Sequence, residues 1–206
     1  MFKRFFDAEN PLMRALAVAA DLLLLNLLTL LCSLPVLTLG AALTALCRSV
    51  QSIVRDEDSY LFRDYFRTLR DNLLRGSAMG LLFLLAGALI WLDYRLAEVF
   101  IPPLRLTAAA LGVIVLAVAL YAFPLQARYV NSFGGTLKNA LTLTVAWFPR
   151  TVGMVVCTLA LWLIALHFFR YALPVLLMFG FSLPCYVCAL LYNDIFNTLE
   201  KDEKEP

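Results

Sequence analysis

The chain has 206 residues, of which 62% are hydrophobic and 16% are charged, and its mean hydropathy is +0.82. Soluble domains are about 45–50% apolar and about 25% charged, so this composition indicates a membrane protein with no room for a soluble catalytic domain. The net charge is only +2, which argues against a nucleic-acid partner unless cations cluster locally.

Six apolar stretches are long enough to be membrane segments. They run over about 15–34, 36–54, 76–92, 106–123, 151–167 and 174–192. Backbone groups at membrane depth must be hydrogen-bonded internally, and the weak two-residue alternation does not fit barrel strands, so all six are predicted to be helices. The predicted fold is an all-α transmembrane bundle that forms one membrane domain over 1–200, with a charged cytoplasmic tail at 201–206.

A turn is predicted between the first two segments. No charge occurs between Asp21 and Arg48, so the length of this stretch fits either one tilted span or a hairpin. Pro35 removes a backbone donor and biases the residue before it away from the helical region. The Thr38 hydroxyl can bond the freed backbone groups, and Gly40 follows shortly after. These residues predict a hairpin turn.

The basic residues favour the hairpin over a single crossing. A hairpin leaves three of the 17 basic residues outside: Arg95, Arg105 and Arg170. A single crossing places three more outside: Lys3, Arg4 and Arg14. Because cytoplasmic loops carry the excess of Lys and Arg, the sequence predicts a hairpin with both termini in the cytoplasm. The charges leave open whether 36–54 reaches full depth or forms a shallow re-entrant arm.

The polar segment 58–75 is predicted to be an amphipathic helix on the cytoplasmic face. Its aromatic and leucine side chains fall on one side of a helix, and its charges fall on the other. Gly76 is interpreted as the stop of this helix. The candidate docking residues of the segment are Phe62, Arg63, Phe66, Arg67 and Arg70.

A second cytoplasmic segment, 128–141, repeats part of this pattern. Tyr65-x-x-Thr-Leu-Arg corresponds to Phe133-x-x-Thr-Leu-Lys, so that Lys138 takes the place of Arg70. Such a repeat is typical of membrane proteins built from duplicated units, although these residue types are common enough for a chance match. Lys138 is therefore added to the candidate docking residues.

The two amphipathic segments have two plausible targets. Cations and aromatic side chains suit the anionic lipids of the inner leaflet. The interleaved Asp64 and Asp71 suit a groove on a partner protein better than a uniform lipid surface. A second copy of the chain is a further possible partner.

Four polar side chains lie within the first apolar stretch: Asp21, Asn26, Thr29 and Ser33. An ionisable residue inside a membrane segment is a functional candidate, because a charge is costly there. Asp21 also shares a helix face with Arg14, so a local ion pair near the interface is the alternative interpretation. The other three share one face, where interhelical hydrogen bonds are the usual role. A solute path would need matching polar stripes on other spans, and 81–92 and 111–123 offer none.

No pattern for catalysis, metal binding or cofactor binding is recognised in the sequence. The Cys185-Tyr-Val-Cys188 motif has no second cysteine pair and no ligating histidine nearby, so its cysteines are interpreted as small buried hydrophobes. We therefore expect a protein that is not an enzyme, with no metal and no cofactor.

The first half of the chain resembles the YesL-like family of bacterial membrane proteins. The residues that carry the resemblance are Asn26, Leu34, Pro35, Thr38, Gly40, Ala41, Phe62, Arg63 and Phe66. The stretch FGGTLKNALTLTVAWFP at 133–149 is similar to the second cytoplasmic segment of that family. The resemblance implies a multi-pass protein of the bacterial inner membrane, in a family without an established activity or defined catalytic residues.

Members of that family are often associated with carbohydrate uptake and breakdown, including ABC-type sugar importers. The resemblance therefore implies an accessory protein that docks onto permease or ATPase subunits through 58–75 and 128–141. Two other classes stay open. One is a small-solute transporter or channel that acts as an oligomer, and the other is a membrane protein with a regulatory or structural role.

Overall fold

A computed structural model describes residues 11–55, 60–100, 104–129, 132–167 and 178–204. Its helices are α1 (Pro11–Cys32), α2 (Leu39–Val54), α3 (Leu61–Asp71), α4 (Leu73–Phe100), α5 (Leu104–Arg128), α6 (Phe133–Ala146), α7 (Phe148–His167) and α8 (Ser182–Lys204). A short 3-10 helix, Val36–Thr38, precedes α2. The described residues contain no strand, and the predicted all-α fold is confirmed.

Four stretches are long and apolar enough to cross a membrane. They are Met13–Cys32, Val36–Val54, Leu73–Ala97 and Arg105–Arg128. Helices α6 and α7 pass the same test only as a pair that is bent by 100°. Within the described residues, length and composition thus give four spans, or five with the bent pair, against about six predicted. The start of the predicted sixth segment, 174–177, lies outside the described residues, and α8 continues into the predicted tail.

Helix α2 is the most deeply buried of the apolar helices. Of the stretch Val36–Val54, 61% is buried, against 17–28% of the other three candidate spans. Polar side chains tie α2 to its neighbours: Gln51 Nε2 donates to the Pro124 carbonyl of α5 at 3.4 Å, and Arg55 Nε donates to Asn193 Oδ1 of α8 at 3.2 Å. The core therefore forms around α2, and the longer helices leave most of their apolar surface for lipid.

The chain breaks between α1 and α2 at Pro35. Pro35 immediately precedes the 3-10 helix, and its backbone is extended, with φ −75° and ψ 113°. The Thr38 hydroxyl lies within hydrogen-bond distance of the Cys32 carbonyl, at 2.6 Å, and of the Pro35 carbonyl, at 2.8 Å. The Pro35 carbonyl also accepts from the Thr38 N–H at 2.9 Å, so the hydroxyl proton can satisfy the Cys32 carbonyl at the end of α1. An unpaired carbonyl would be costly inside this apolar stretch.

Three glycines bring α2 and α4 into backbone contact. A Cβ added at Gly40 would overlap the carbonyl oxygen of Gly76 and would come within 2.6 Å of the Gly80 backbone. A Cβ at Gly76 would lie 2.7 Å from the Ala41 Cα. No side chain fits between these helices, so the start of α2 is fixed against the start of α4.

This contact places the turn at an unexpected end of the bundle. We call the end formed by α3, the start of α4 and the end of α5 the arginine-rich end, since it carries Arg70, Arg75 and Arg128. Gly80 lies only about 7.5 Å along α4 from Arg75, at a rise of about 1.5 Å per residue. Because Gly40 touches Gly80, the turn also lies near the arginine-rich end.

The charge count predicts the opposite placement, with the turn outside and 55–75 inside. In the structure both ends of α2 lie towards the arginine-rich end: its first turn contacts α4, and α3 follows its last turn. A shallow re-entrant α2, one of the two alternatives that the charges leave open, fits these contacts. The location of both termini in the cytoplasm stays a prediction.

The interpretation of Gly76 as a helix stop is wrong. The break falls at Asn72, whose Nδ2 donates to the Thr68 carbonyl at 3.1 Å, and Gly76 lies inside α4. A stop glycine and a packing glycine look alike in a sequence. Here the close approach of Ala41 requires the missing side chain.

Candidate functional site

A polar cavity opens at the arginine-rich end, where the two predicted cytoplasmic segments meet. It encloses about 340 Å³. The cavity is lined by the end of α3, the start of α4, the end of α5 and the start of α6. Its polar side chains include Thr68, Asp71, Arg75, Gln126, Arg128 and Thr136.

Local sequence signals place these helix ends around the cavity. The Ser132 hydroxyl caps α6 by accepting from the Gly135 N–H at 3.2 Å, and the Thr136 hydroxyl donates to the Ser132 carbonyl at 3.2 Å. On the other side, the break at Asn72 turns the chain from α3 into α4. The cavity residues at the end of α3 and at the starts of α4 and α6 therefore lie beside helix ends that are marked by a cap or a break.

The described lining of the cavity carries both signs of charge. Arg75 and Arg128 are the cations among these residues, and Asp71 is the carboxylate. The Asp71 carboxylate lies 3.9 Å from Arg67 Nε, and both side chains are largely exposed. Water and the neighbouring cation therefore weaken the electrostatic effect of Asp71 inside the cavity. The guanidinium of Arg128 lies 5.1 Å from the ring centre of Phe196 and 5.7 Å from that of Tyr129, so two aromatic faces hold it in place.

Gln126 is the cavity residue that sequence reasoning missed. Its side chain is 9% exposed, and within the described structure neither its amide nitrogen nor its amide oxygen has a hydrogen-bond partner. Leaving a buried polar group unsatisfied costs about 1–3 kcal/mol. The available sequence signal was a single amide between Pro124 and Arg128 at the end of an apolar stretch.

The predicted docking face of α3 divides into two parts. Tyr65 turns inward and is fully buried, and its hydroxyl donates to the Thr29 hydroxyl of α1 at 3.3 Å. Burial raises the pKa of Tyr65 well above its ordinary value, so the phenol remains a neutral donor. Phe62 and Phe66 stay 59% and 40% exposed, with ring centres 4.9 Å apart.

The predicted docking cations lie on surfaces around these rings. Arg63, Arg67 and Arg70 are exposed on α3, and Lys138 is exposed on α6. The Arg67 side chain is 77% exposed beside Asp71. The structure thus brings all of the predicted docking residues to the arginine-rich end.

Polar side chains of α1 form hydrogen bonds with other helices. Asn26 is fully buried, and its Oδ1 accepts from the Phe181 N–H at 2.8 Å and the Ser182 N–H at 3.2 Å, which caps the start of α8. The Ser33 hydroxyl donates locally, to the Leu30 carbonyl at 3.0 Å. Asp21 is half-buried, and its pairing with Arg14 stays a prediction.

Replacing Asn26 with alanine should lower the free energy of unfolding by about 1–3 kcal/mol, since it leaves two amide donors at the start of α8 without an acceptor. Unfolding of the purified protein in mild detergent, followed by circular dichroism, measures the change. Ser33→Ala is the matched control, because its hydroxyl bonds only within α1 and should change stability by a few tenths of a kcal/mol. Equal effects of both substitutions would contradict the capping role of Asn26.

A second cavity, of about 210 Å³, lies among α2, α5, α7 and α8 and is lined almost entirely by apolar side chains. Cys47, Cys185 and Cys188 line it, and the Cys47 and Cys185 sulfurs are 3.5 Å apart. The described residues include no group of three or more His, Cys, Asp or Glu side chains placed to hold a metal ion. Cys47 and Cys188 are buried and Cys185 is partly buried, so the three side chains pack among the apolar residues of this cavity.

Comparison with known proteins gives one finding. No curated protein and no solved structure shows significant similarity to the chain. Residues 22–94 contain α2, α3, the second half of α1 and most of α4, and thus the turn, the glycine contact and the exposed phenylalanines. This region matches a family model whose description is "Protein of unknown function, DUF624".

Proposed function

We propose that the chain is a non-enzymatic, YesL-like protein of the bacterial inner membrane that acts as an accessory partner of a carbohydrate uptake system of the ABC type. The DUF624 match supports the family part of this proposal, because 22–94 contains all nine positions that carry the YesL resemblance. The clustering of arginines supports a cytoplasmic location for the arginine-rich end.

The exposed face of α3 carries the proposal. Phe62 and Phe66 form an aromatic pair on the surface, while the third aromatic of the same helix, Tyr65, anchors α3 to α1. A rigidly anchored helix that presents paired aromatic side chains is typical of a protein-binding surface. The neighbouring Arg67 and Asp71 add mixed charge, which suits a partner with its own charged pairs.

A solute path within one copy has less support than docking. The buried polar stripe of α1 would be its natural lining. Asn26 caps α8 and Thr29 accepts from Tyr65, so both side chains are engaged in joining helices. We propose on this basis that the chain does not conduct solute by itself.

Charge reversal on α3 tests the docking proposal. The double variant Arg67→Glu and Arg70→Glu should reduce co-purification of permease or ATPase subunits in mild detergent by about tenfold or more, because two interfacial attractions become repulsions worth about 1.4 kcal/mol together. Quantitative mass spectrometry of the affinity-purified complex measures the loss.

The matched control is Arg95→Glu with Arg105→Glu, which makes the same charge change at the opposite end of α4 and α5. It should leave co-purification unchanged. If the α3 double variant retains its transport subunits, the docking proposal fails. If that variant instead loses binding to anionic vesicles while no transport subunit co-purifies with the wild type, α3 is a lipid-binding helix and the accessory role is withdrawn.

A further inference from the structure

We infer that Cys47 and Cys185 form a redox-active pair, which an uncharged quinone in the membrane oxidises to a disulfide that joins α2 to α8. The two cysteines are free and 138 positions apart in the chain, and Cys185 Sγ donates to Cys47 Sγ at 3.5 Å. Two thiols in direct contact on neighbouring helices are the arrangement from which a disulfide forms. The inference goes beyond the proposed docking role and does not depend on it.

Two further contacts hold α2 against α8 beside the cysteine pair. Gln51, one turn after Cys47, donates through Nε2 to the Tyr192 hydroxyl at 3.4 Å. Arg55, one turn further along, donates through Nε to Asn193 Oδ1 at 3.2 Å. Residues four apart lie on the same face of a helix, so all three contacts belong to one packed surface of α2. The packing of the two helices therefore keeps the sulfurs together.

A small movement is enough to form the bond. The S–S bond of a disulfide is about 2.05 Å long, so the two sulfurs must approach by about 1.5 Å from their present distance. Rotation of a cysteine side chain between staggered rotamers moves the sulfur without moving the backbone. Both side chains line the apolar cavity of about 210 Å³, which leaves room for this rotation.

The cavity also determines which oxidant reaches the pair. None of the described residues that line it is charged, and Phe123, Trp162 and Phe181 place aromatic rings in its wall. The Trp162 side chain is 38% exposed, so this wall extends to the surface of the bundle. An apolar cavity of about 150 Å³ admits benzene, so this larger cavity fits the ring of an uncharged benzoquinone. A charged oxidant would lose its hydration there at a high cost in free energy.

A quinone balances the reaction without leaving a charge in the cavity. Each thiol loses its proton, and the two sulfurs together lose two electrons as the S–S bond forms. The quinone gains both electrons and both protons, so its two carbonyl oxygens become the hydroxyls of a hydroquinone. Because an unpaired charge is costly in an apolar interior, an oxidant that accepts protons together with electrons suits this cavity.

The test follows the oxidation of the full-length, reduced protein in mild detergent with oxygen excluded. The probe is tetramethylbenzoquinone, whose substituted ring disfavours direct addition of thiols. After remaining thiols are alkylated in denaturant, mass spectrometry of unreduced peptides locates the disulfide. Wild-type protein should give a disulfide between Cys47 and Cys185, with one hydroquinone formed per disulfide. A sulfonated benzoquinone should react at least tenfold more slowly, because its charge excludes it from the cavity.

Two alanine variants separate this pair from the other cysteines. Cys185→Ala should lower hydroquinone formation at least tenfold. Cys157→Ala is the matched control, since Cys157 lies on α7 outside the cavity lining, and it should leave the rate unchanged. Oxidation should raise the thermal unfolding midpoint of the wild type by about 5 °C or more, because the disulfide restricts the unfolded chain. The midpoint of Cys185→Ala should not change.

Four results would overturn the inference. The first is that the quinone forms no disulfide, or forms one between Cys185 and Cys188 instead. The second is that Cys185→Ala produces hydroquinone as fast as the wild type. The third is equal rates with the neutral and the sulfonated quinone, since the oxidant would then not act through the apolar cavity. The fourth is a midpoint that stays constant or falls on oxidation, since the native packing of α2 and α8 would then not accommodate the bond. The peptide map of the wild type needs no variant, so the first result is available even if a variant does not fold.

Discussion

Replacing Gly40 with alanine is expected to lower the free energy of unfolding by at least about 3 kcal/mol. The added Cβ would overlap the Gly76 carbonyl oxygen and come within 2.6 Å of the Gly80 backbone. Overpacking a well-packed interior typically costs about 1–3 kcal/mol, and the cost is higher when the opposing atoms are backbone that cannot change rotamer. Unfolding in mild detergent, monitored by circular dichroism, measures the loss.

Gly80→Ala should behave in the same way, since its Cβ would lie 2.5 Å from the Gly40 Cα. Gly87→Ala on the same helix is the matched control, because no described atom lies within 4 Å of the position that its Cβ would take. Glycine inside a helix is about 0.5–1 kcal/mol less stable than alanine, so this control should be neutral or slightly stabilising. Similar, small effects at Gly40 and Gly87 would mean that the close crossing of α2 and α4 does not occur.

The glycine contact explains how a buried α2 can exist in this fold. Gly76 and Gly80 are four residues apart on α4 and form the small-xxx-small pattern that lets helix backbones approach closely in membranes. Gly40 supplies the facing surface on α2. Lipid provides no hydrophobic driving force between helices, so this close packing is a main source of attraction between α2 and α4.

Hydropathy and local chemistry predicted most of the helices but not their ends or their paths. The apolar stretches and the break at Pro35 follow from composition and from the restrictions that proline places on the backbone. The path of α2 could not be predicted in this way. A count of Arg and Lys assigns loops to the two sides of the membrane and carries no information on how deeply a helix lies in it. Depth is set by long-range contacts such as that of Gly40 with Gly76.

The cavity was only partly predictable. Helical periodicity brought Phe62 and Phe66 to one face of α3, but the direction of Tyr65 depends on Thr29, which lies 36 positions earlier in the chain. Gln126 gave no periodic signal at all, because its significance comes from being buried without a partner. Such a property exists only after the helices are packed, so sequence patterns could not reveal it.

The second prediction concerns the side of the membrane that each part of the chain faces. Cysteines introduced at Leu34, in the turn, and at Tyr60, before α3, should react with a membrane-impermeant maleimide from the same side. Both positions are well exposed, at 77% and 82%. A cysteine at Leu106, which is 78% exposed at the start of α5, should react from the opposite side.

The physical reason is the short distance between the turn and α3. Gly40 touches Gly76 and Gly80, while a hydrocarbon core about 30 Å thick separates the two sides of the membrane. The turn can therefore lie opposite α3 only if the contact between α2 and α4 is absent. Wild-type protein, whose five native cysteines lie within helices, gives the labelling background. Labelling of position 34 together with 106, and not with 60, would show a full return crossing of 36–54 and would refute the re-entrant α2.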